Sequence, residues 1–179
     1  SMNLVNGFTG LFSLGQAGFM AIGAYTVALF TVPLQVRPNV FYMVPQNPII
    51  AQIELPFAIA LILGGLLAAL AAILIGIPVL RLKSDYLAIA TLGFSEIIRI
   101  VCTNAKSITN GALGIKSIPE MPTMWVFFGV AIISVIIIYL LINSSYGRAF
   151  KAIREDEIAA EAMGINLFKH KVMSFAIGA

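Results

Sequence analysis

Long stretches without a charge alternate along the chain with short charged turns. Residues 1–36, 55–80 and 121–147 hold no Asp, Glu, Lys or Arg, and about 20 apolar residues suffice for a helix to cross a bilayer. Residues 58–80 predict the clearest span, since 23 residues at about 1.5 Å each cover roughly 34 Å of a hydrocarbon core of roughly 30 Å. Within it Ala60, Gly64, Ala68, Ala72 and Gly76 recur every fourth position, which places small side chains along one helix face and lets a neighbouring backbone come close. Pro78 ends this span, and Arg81, Lys83 and Asp85 form a charged turn. A second clear span runs over 121–142, and residues 172–179 read as the start of another.

Between the two clear spans, Ser84 suits an N-cap and Asp85 the first turn of a helix over 86–102. At 100° per residue, Ala88, Thr91, Leu92, Ser95, Glu96 and Arg99 share one side, and Leu87, Ala90, Phe94, Ile97, Ile98 and Val101 the other. The helix carries a polar seam inside the membrane. Counted from Ser84, Glu96 is about 18 Å deep and Arg99 about 22 Å, and three-residue spacing predicts an ion pair between them.

Residues 4–34 make about 46 Å as one helix, too long for one span and too short for two. Gly7, Gly10, Gly15, Gly18 and Gly23 interrupt the stretch. A broken or re-entrant segment followed by a helix over 19–32 resolves the mismatch, provided the irregular backbone is buried in protein or lines a cavity. Pro33, Pro38, Pro45, Pro48 and Pro56 then bracket an exposed connector whose charges are Arg37 and Glu54.

Composition agrees with this pattern. The 179 residues are 60% hydrophobic and 11% charged, against roughly 25% charged for a soluble domain. The fold class is therefore all-α: a polytopic integral membrane bundle with a broken Gly-rich N-terminal segment. Nucleic-acid binding is excluded, because apolar segments divide the 11 bases into separate loops. The lone Cys102 permits no internal disulfide. Both ends lie inside hydrophobic segments, and the expectation is one transmembrane domain over 1–179, truncated at each end. On one side the loops carry Arg81, Lys83, Arg148, Lys151, Arg154, Lys169 and Lys171, and on the other Arg37, Lys106 and Lys116. The larger count places loop 143–171 in the cytoplasm and loop 103–120 outside.

Residues 146–164, YGRAFKAIREDEIAAEAMG, hold four of the eight acids. Phe150 with Ile153, and Ile158 with Ala162, predict two short helices, with Asp156 as the N-cap between them and Gly164 as the stop. Small, apolar and charged residues mixed in this way suit docking of a soluble partner better than a solvated charged loop.

Three blocks carry a resemblance: residues 7–25 (GFTGLFSLGQAGFMAIGAY), 80–99 (LRLKSDYLAIATLGFSEIIR) and 147–165 (GRAFKAIREDEIAAEAMGI). In this order they resemble the LivM-type permease subunits of bacterial high-affinity branched-chain amino acid ABC importers, whose members are longer at both ends. The resemblance implies alternating access, with a multi-pass permease in the bacterial inner membrane. It also implies a second permease subunit, two ATP-binding cassette ATPases that bind ATP and Mg, an extracytoplasmic binding protein, and lipid around the spans. It makes 143–171 the coupling-helix loop, inserted into an ATPase through Arg148, Arg154, Glu155, Asp156, Glu157, Ala159, Ala160 and Gly164. In the wider importer pattern, Glu-Ala-Ala then three residues and Gly, Ile158 stands where the Glu would be and Glu157 precedes it. The outer loop, residues 109–115, lacks the proline associated with the family.

No cofactor is expected in this chain. Residues 111–117, GALGIKS, lack the phosphate-loop spacing and a preceding strand, so ATP hydrolysis falls to another chain. His170, the only histidine, reads as an interfacial basic residue, and no catalytic or metal constellation can be assembled. Gln16, Thr91, Ser95 and Glu96 are candidates to line a pathway, because polar groups inside a membrane face a cavity or a partner; hydrogen bonding between helices serves them equally well. Two alternatives share much of this reading. One is a permease for urea, amides or another small polar solute, and the other is an ATP-independent channel or carrier.

Overall fold

The computed structural model describes residues 2–41, 53–80, 82, 84–116 and 124–179. Among these residues it is all-helical, without a strand. A π-helical turn, Asn3–Phe8, leads through irregular backbone to α1 (Gln16–Thr31). There follow α2 (Arg37–Val40), α3 (Phe57–Val79), α4 (Ser84–Asn104), α5 (Lys106–Thr109) and a 3-10 turn at Gly111–Leu113. The chain continues through α6 (Met124–Asn143), α7 (Ser145–Glu155), α8 (Glu157–Ala162) and α9 (Leu167–Gly178). Phe57–Val79, Tyr86–Asn104 and Met124–Asn143 are long and apolar enough to cross a bilayer, as a polytopic membrane protein requires.

Two expected boundaries move. Helix α1 starts at Gln16 rather than at 19, and its 16 residues reach only about 24 Å, less than a hydrocarbon core of roughly 30 Å. Helix α9 starts at Leu167 rather than at 172, taking Lys169, His170 and Lys171 into its first turns. The cause is local: the Asn166 side chain accepts from the Lys169 N–H at 3.0 Å and caps the helix there. The side chains of Ser84 and Asp85, the charges of Arg81 and Lys83, and the expected span start at 121–123 lie outside the described residues, as do Pro45 and Pro48 of the connector.

The small-residue row of α3 is buried along its whole length, at Ala60, Gly64, Ala68, Ala72 and Gly76. Two different neighbours cover it. Toward the start of α3 a Cβ at Gly64 would lie 3.1 Å from the Gly23 carbonyl of α1, so the backbones touch where neither helix has a side chain. Toward its end, a Cβ at Gly76 would meet the Phe175 ring of α9 at 3.2 Å. Phe175 is fully buried and stands edge-on to Phe19 of α1, centroids 5.4 Å apart at 90°. Around this pair Val5, Leu11, Ala72, Val79, Leu80 and Leu87 close the core. Helix α6, by contrast, buries none of its residues, and its Phe127 ring reaches the bundle at Phe57, centroids 6.4 Å apart.

The connector departs from expectation at its described ends. Arg37 is buried and donates from Nε to the Val32 carbonyl at 3.0 Å and from Nη2 to those of Leu29, at 3.3 Å, and Ile53, at 2.6 Å. It satisfies carbonyls that the end of α1 leaves open, where a cation is favoured. Burial pulls the guanidinium below its ordinary pKa, and Glu54 acts in the opposite sense. Val40 and Phe41 are buried as well. The Val40 carbonyl accepts from the Asn110 side chain at 3.0 Å, and Asn110 sits in the left-handed region with φ 63°. The connector and the 105–116 turn thus pack together at one end of the bundle. The end of α1, which needs its carbonyls filled, draws Arg37 inward as a cap, while Leu34, Gln35, Pro38, Ile53 and Glu54 of the connector stay exposed as expected.

Candidate functional site

At the opposite end, the broken N-terminal segment and the loop after α6 meet. Backbone without regular structure must find its hydrogen bonds elsewhere, and here the sources are identifiable. Thr9 donates through both N–H and Oγ1 to the Leu4 carbonyl, Leu11 N–H donates to Val5, and Ser13 N–H donates to the Asn6 side chain at 3.2 Å. Leu14 N–H donates to Thr91 Oγ1 of α4 at 3.1 Å, while that hydroxyl donates to the Ala88 carbonyl at 3.0 Å. Thr91 is thereby buried as the peg that holds the broken segment. Gly15 and Gly18 allow the approach: Cβ atoms there would lie 3.2 Å from the Thr91 carbonyl and 2.9 Å from Ser95 Cα. Half-buried Gln16 opens α1, and its Nε2 has no partner among the described residues.

The polar seam of α4 is split by this packing. Thr91 faces the broken segment and Ser95 lies under Gly18, its hydroxyl donating to the Leu92 carbonyl at 2.8 Å. Glu96 and Arg99 turn outward, with Ile89, Leu92 and Ile100 exposed on the same flank. Arg99 grips the Glu96 carboxylate with Nε, at 2.9 and 3.1 Å to its two oxygens, and with Nη2. The pairing expected from i, i+3 spacing is present.

Helices α7 and α8 form the second part of the site. A Cβ at Gly147 would fall 1.9 Å from the Ile142 carbonyl, so only glycine permits the sharp turn out of α6. Gly147, Ala149, Phe150 and Ile153 face the bundle, leaving Arg148 exposed with its Nη2 3.3 Å from Ser145 Oγ. Asp156 caps α8, accepting from Ile158 N–H at 2.8 Å and Ala159 N–H at 3.1 Å. Gly164, at φ 82°, closes it: Ile165 N–H donates to Ala160 and Gly164 N–H to Glu161, the bonding of a left-handed helix stop. The apolar face differs from the expected one. Ala160 is buried, whereas Ile158 and Met163 are 81% and 83% exposed.

Contacts tie this unit to the membrane segments. Arg154 Nη1 donates to the Gly7 carbonyl at 3.1 Å, and its Nε bonds Glu155 at 3.0 Å. A side chain at Gly10, where φ is 72°, would collide with Arg154 Cγ at 2.8 Å. Lys151 Nζ lies 6.0 Å from the Phe8 ring centroid. Lys171 of α9 binds Glu157 of α8 at 2.7 Å. His170 lies beside the Tyr146 and Phe150 rings, at 6.2 and 6.3 Å, and its Nδ1 is 2.8 Å from the Asn166 carbonyl. Among the described residues no group of three His, Cys, Asp or Glu is placed to hold a metal ion.

Residues 1–179 match the permease components of branched-chain amino acid transport systems. The chain belongs to this family. It is 37% identical over 213 residues to the high-affinity branched-chain amino acid transport system permease protein LivM of Salmonella typhimurium, and equally to that of Escherichia coli, covering 99% of this chain and 45% of each relative. A probable LivM of Methanocaldococcus jannaschii is 27% identical over 205 residues, covering 99% of this chain and 59% of that one. The chain spans about half the length of the curated relatives it matches. These relatives are named as transport permeases, not as enzymes. No solved structure matches the chain.

In this family member, several residues escaped reading from sequence. The Gly7 and Gly10 contacts with Arg154 join positions more than a hundred residues apart, beyond any periodicity. A weaker sign marked Arg37, a cation shortly after the end of a helix. Exposed Ile158 and Met163 carried none, since burial of a short helix depends on what lies beneath it.

Proposed function

We propose that residues 1–179 are part of the transmembrane permease domain of a subunit in an ABC importer for branched-chain amino acids. The observation that carries the reading is the family match over every residue of the chain. The importer resides in the inner membrane with several spans and loop 143–171 in the cytoplasm. A second permease subunit completes the pathway, two ATP-binding cassette ATPases bind ATP and Mg and hydrolyse it, and an extracytoplasmic protein delivers the amino acid. This chain holds no cofactor of its own.

Helices α7 and α8 are the coupling element. Helix α8 is capped at both ends and presents Ile158 and Met163 to solvent, an apolar pair suited to a groove on an ATPase. Movement there reaches the broken segment through Arg154 and Gly7, and thence α4 through Leu14 and Thr91. Gln16, Ser95 and Glu96 stand along the segments so moved. The test is reconstitution of the full-length permease with its partners in proteoliposomes. ATP-dependent leucine uptake and co-purification with ATPases support the reading. Uptake of urea or amides instead of leucine overturns the substrate, and uptake without ATP overturns the transporter class.

A further inference from the structure

Glu96 lies near the middle of a membrane helix and Arg99 about one turn nearer its end, bound to each other, with both side chains largely open. Such a pair is costly against lipid and faces a watery cavity or a polar partner. Three observations bear on which. The Arg99 guanidinium spends Nε and Nη2 on Glu96, and its Nη1 makes no hydrogen bond among the described residues. The Glu96 carboxylate, with about four lone-pair sites, can accept further donors. Finally Leu92 and Ile100, four residues to either side of Glu96, are exposed on the same flank and present aliphatic surface beside the charges.

We infer that this face of α4 is a solute subsite: Arg99 receives the carboxylate of an α-amino acid, Glu96 receives its ammonium, and Leu92 and Ile100 meet its aliphatic side chain. The inference rests on the proposed importer function and adds where in this chain the solute binds. The complementarity is one of charge and order. A zwitterion carries one anion and one cation on a single carbon, and the pair offers one of each on adjacent positions of one helix face. A net-neutral solute on a net-neutral ion pair then leaves no uncompensated charge in the membrane. A partner polypeptide covering the same face would have to bring matched polar groups of its own, and this becomes the competing outcome.

The test uses the full-length permease assembled with its partners in proteoliposomes, in a Cys102→Ser background. Leu92→Cys is treated with a small charged methanethiosulfonate while the binding protein is omitted. The thiol should react, and saturating L-leucine should slow the reaction about tenfold, whereas leucinamide, without the carboxylate, and 4-methylpentanoate, without the ammonium, should not. Arg99→Gln should abolish protection and lower leucine uptake about tenfold or more while ATPase association persists, and Arg99→Lys should restore part of both. An unreactive thiol in every state of the ATPase cycle means that polypeptide or lipid covers the face, and overturns the inference. Equal protection by leucinamide, or full uptake in both Glu96→Gln and Arg99→Gln, overturns it as well. ATP-driven leucine uptake by the unmodified assembly distinguishes the two levels: with uptake present, these failures sink the subsite alone, and with uptake absent the functional reading falls with it.

Discussion

Substitution of Gly64 probes a close backbone contact between α1 and α3, and its neighbour supplies the control. A Cβ at Gly64 would sit 3.1 Å from the Gly23 carbonyl and 3.2 Å from Val27 Cγ2, while one at Gly65 meets nothing within 4 Å. Each Gly→Ala change gains about 1 kcal/mol of helix propensity. At Gly65 that gain stands. At Gly64 a backbone carbonyl cannot swing away as a side chain can, and overpacking of this kind costs about 1–3 kcal/mol. Gly64→Ala should therefore be about 1–3 kcal/mol less stable than Gly65→Ala, roughly 2–10 °C in melting temperature. Valine at the two sites should widen the gap, since its branches add volume at the same crossing. The assay is thermal unfolding of the full-length permease in detergent, followed by size-exclusion fluorescence. Equal melting of the position-64 and position-65 variants would show that α1 and α3 do not cross at Gly23 and Gly64.

Cysteines at Ser107 and Glu157, both exposed, in a Cys102→Ser background, should label from opposite faces of the membrane; labelling of both from outside would refute the orientation drawn from the loop charges. Ala160→Pro removes the N–H that donates to the Asp156 carbonyl at 3.0 Å and costs about 3 kcal/mol in a helix interior. Insertion into the membrane should survive while ATPase association and coupled transport fall, and normal coupling in this variant would make the 145–164 segment a mere connector. Gly147→Ala places a methyl 1.9 Å from the Ile142 carbonyl and should sharply lower folded yield, whereas Gly129→Ala, with nothing within 4 Å, should not; equal yields would mean that the junction of α6 and α7 is looser than described.

Local rules made a large part of this protein readable from sequence alone. The runs that became α3 and α6, the row from Ala60 to Gly76, the Asp156 cap, the Gly164 stop and the Glu96 to Arg99 pair all rest on interactions within about four residues, and such interactions are written in neighbouring letters. The tertiary structure decided what those local features face. It divided the small-residue row between Gly23 of α1 and Phe175 of α9, because two helices arrive there from opposite ends of the chain. It split the polar seam of α4, turning Thr91 inward to hold Leu14 and leaving Glu96 and Arg99 open, because unsatisfied backbone in the broken segment claims the nearest hydroxyl. It drew Arg37 from an expected linker into a cap on α1, and it buried Ala160 while exposing Ile158. Periodicity gives each helix a face, but only the partners that fold against it determine which face is covered.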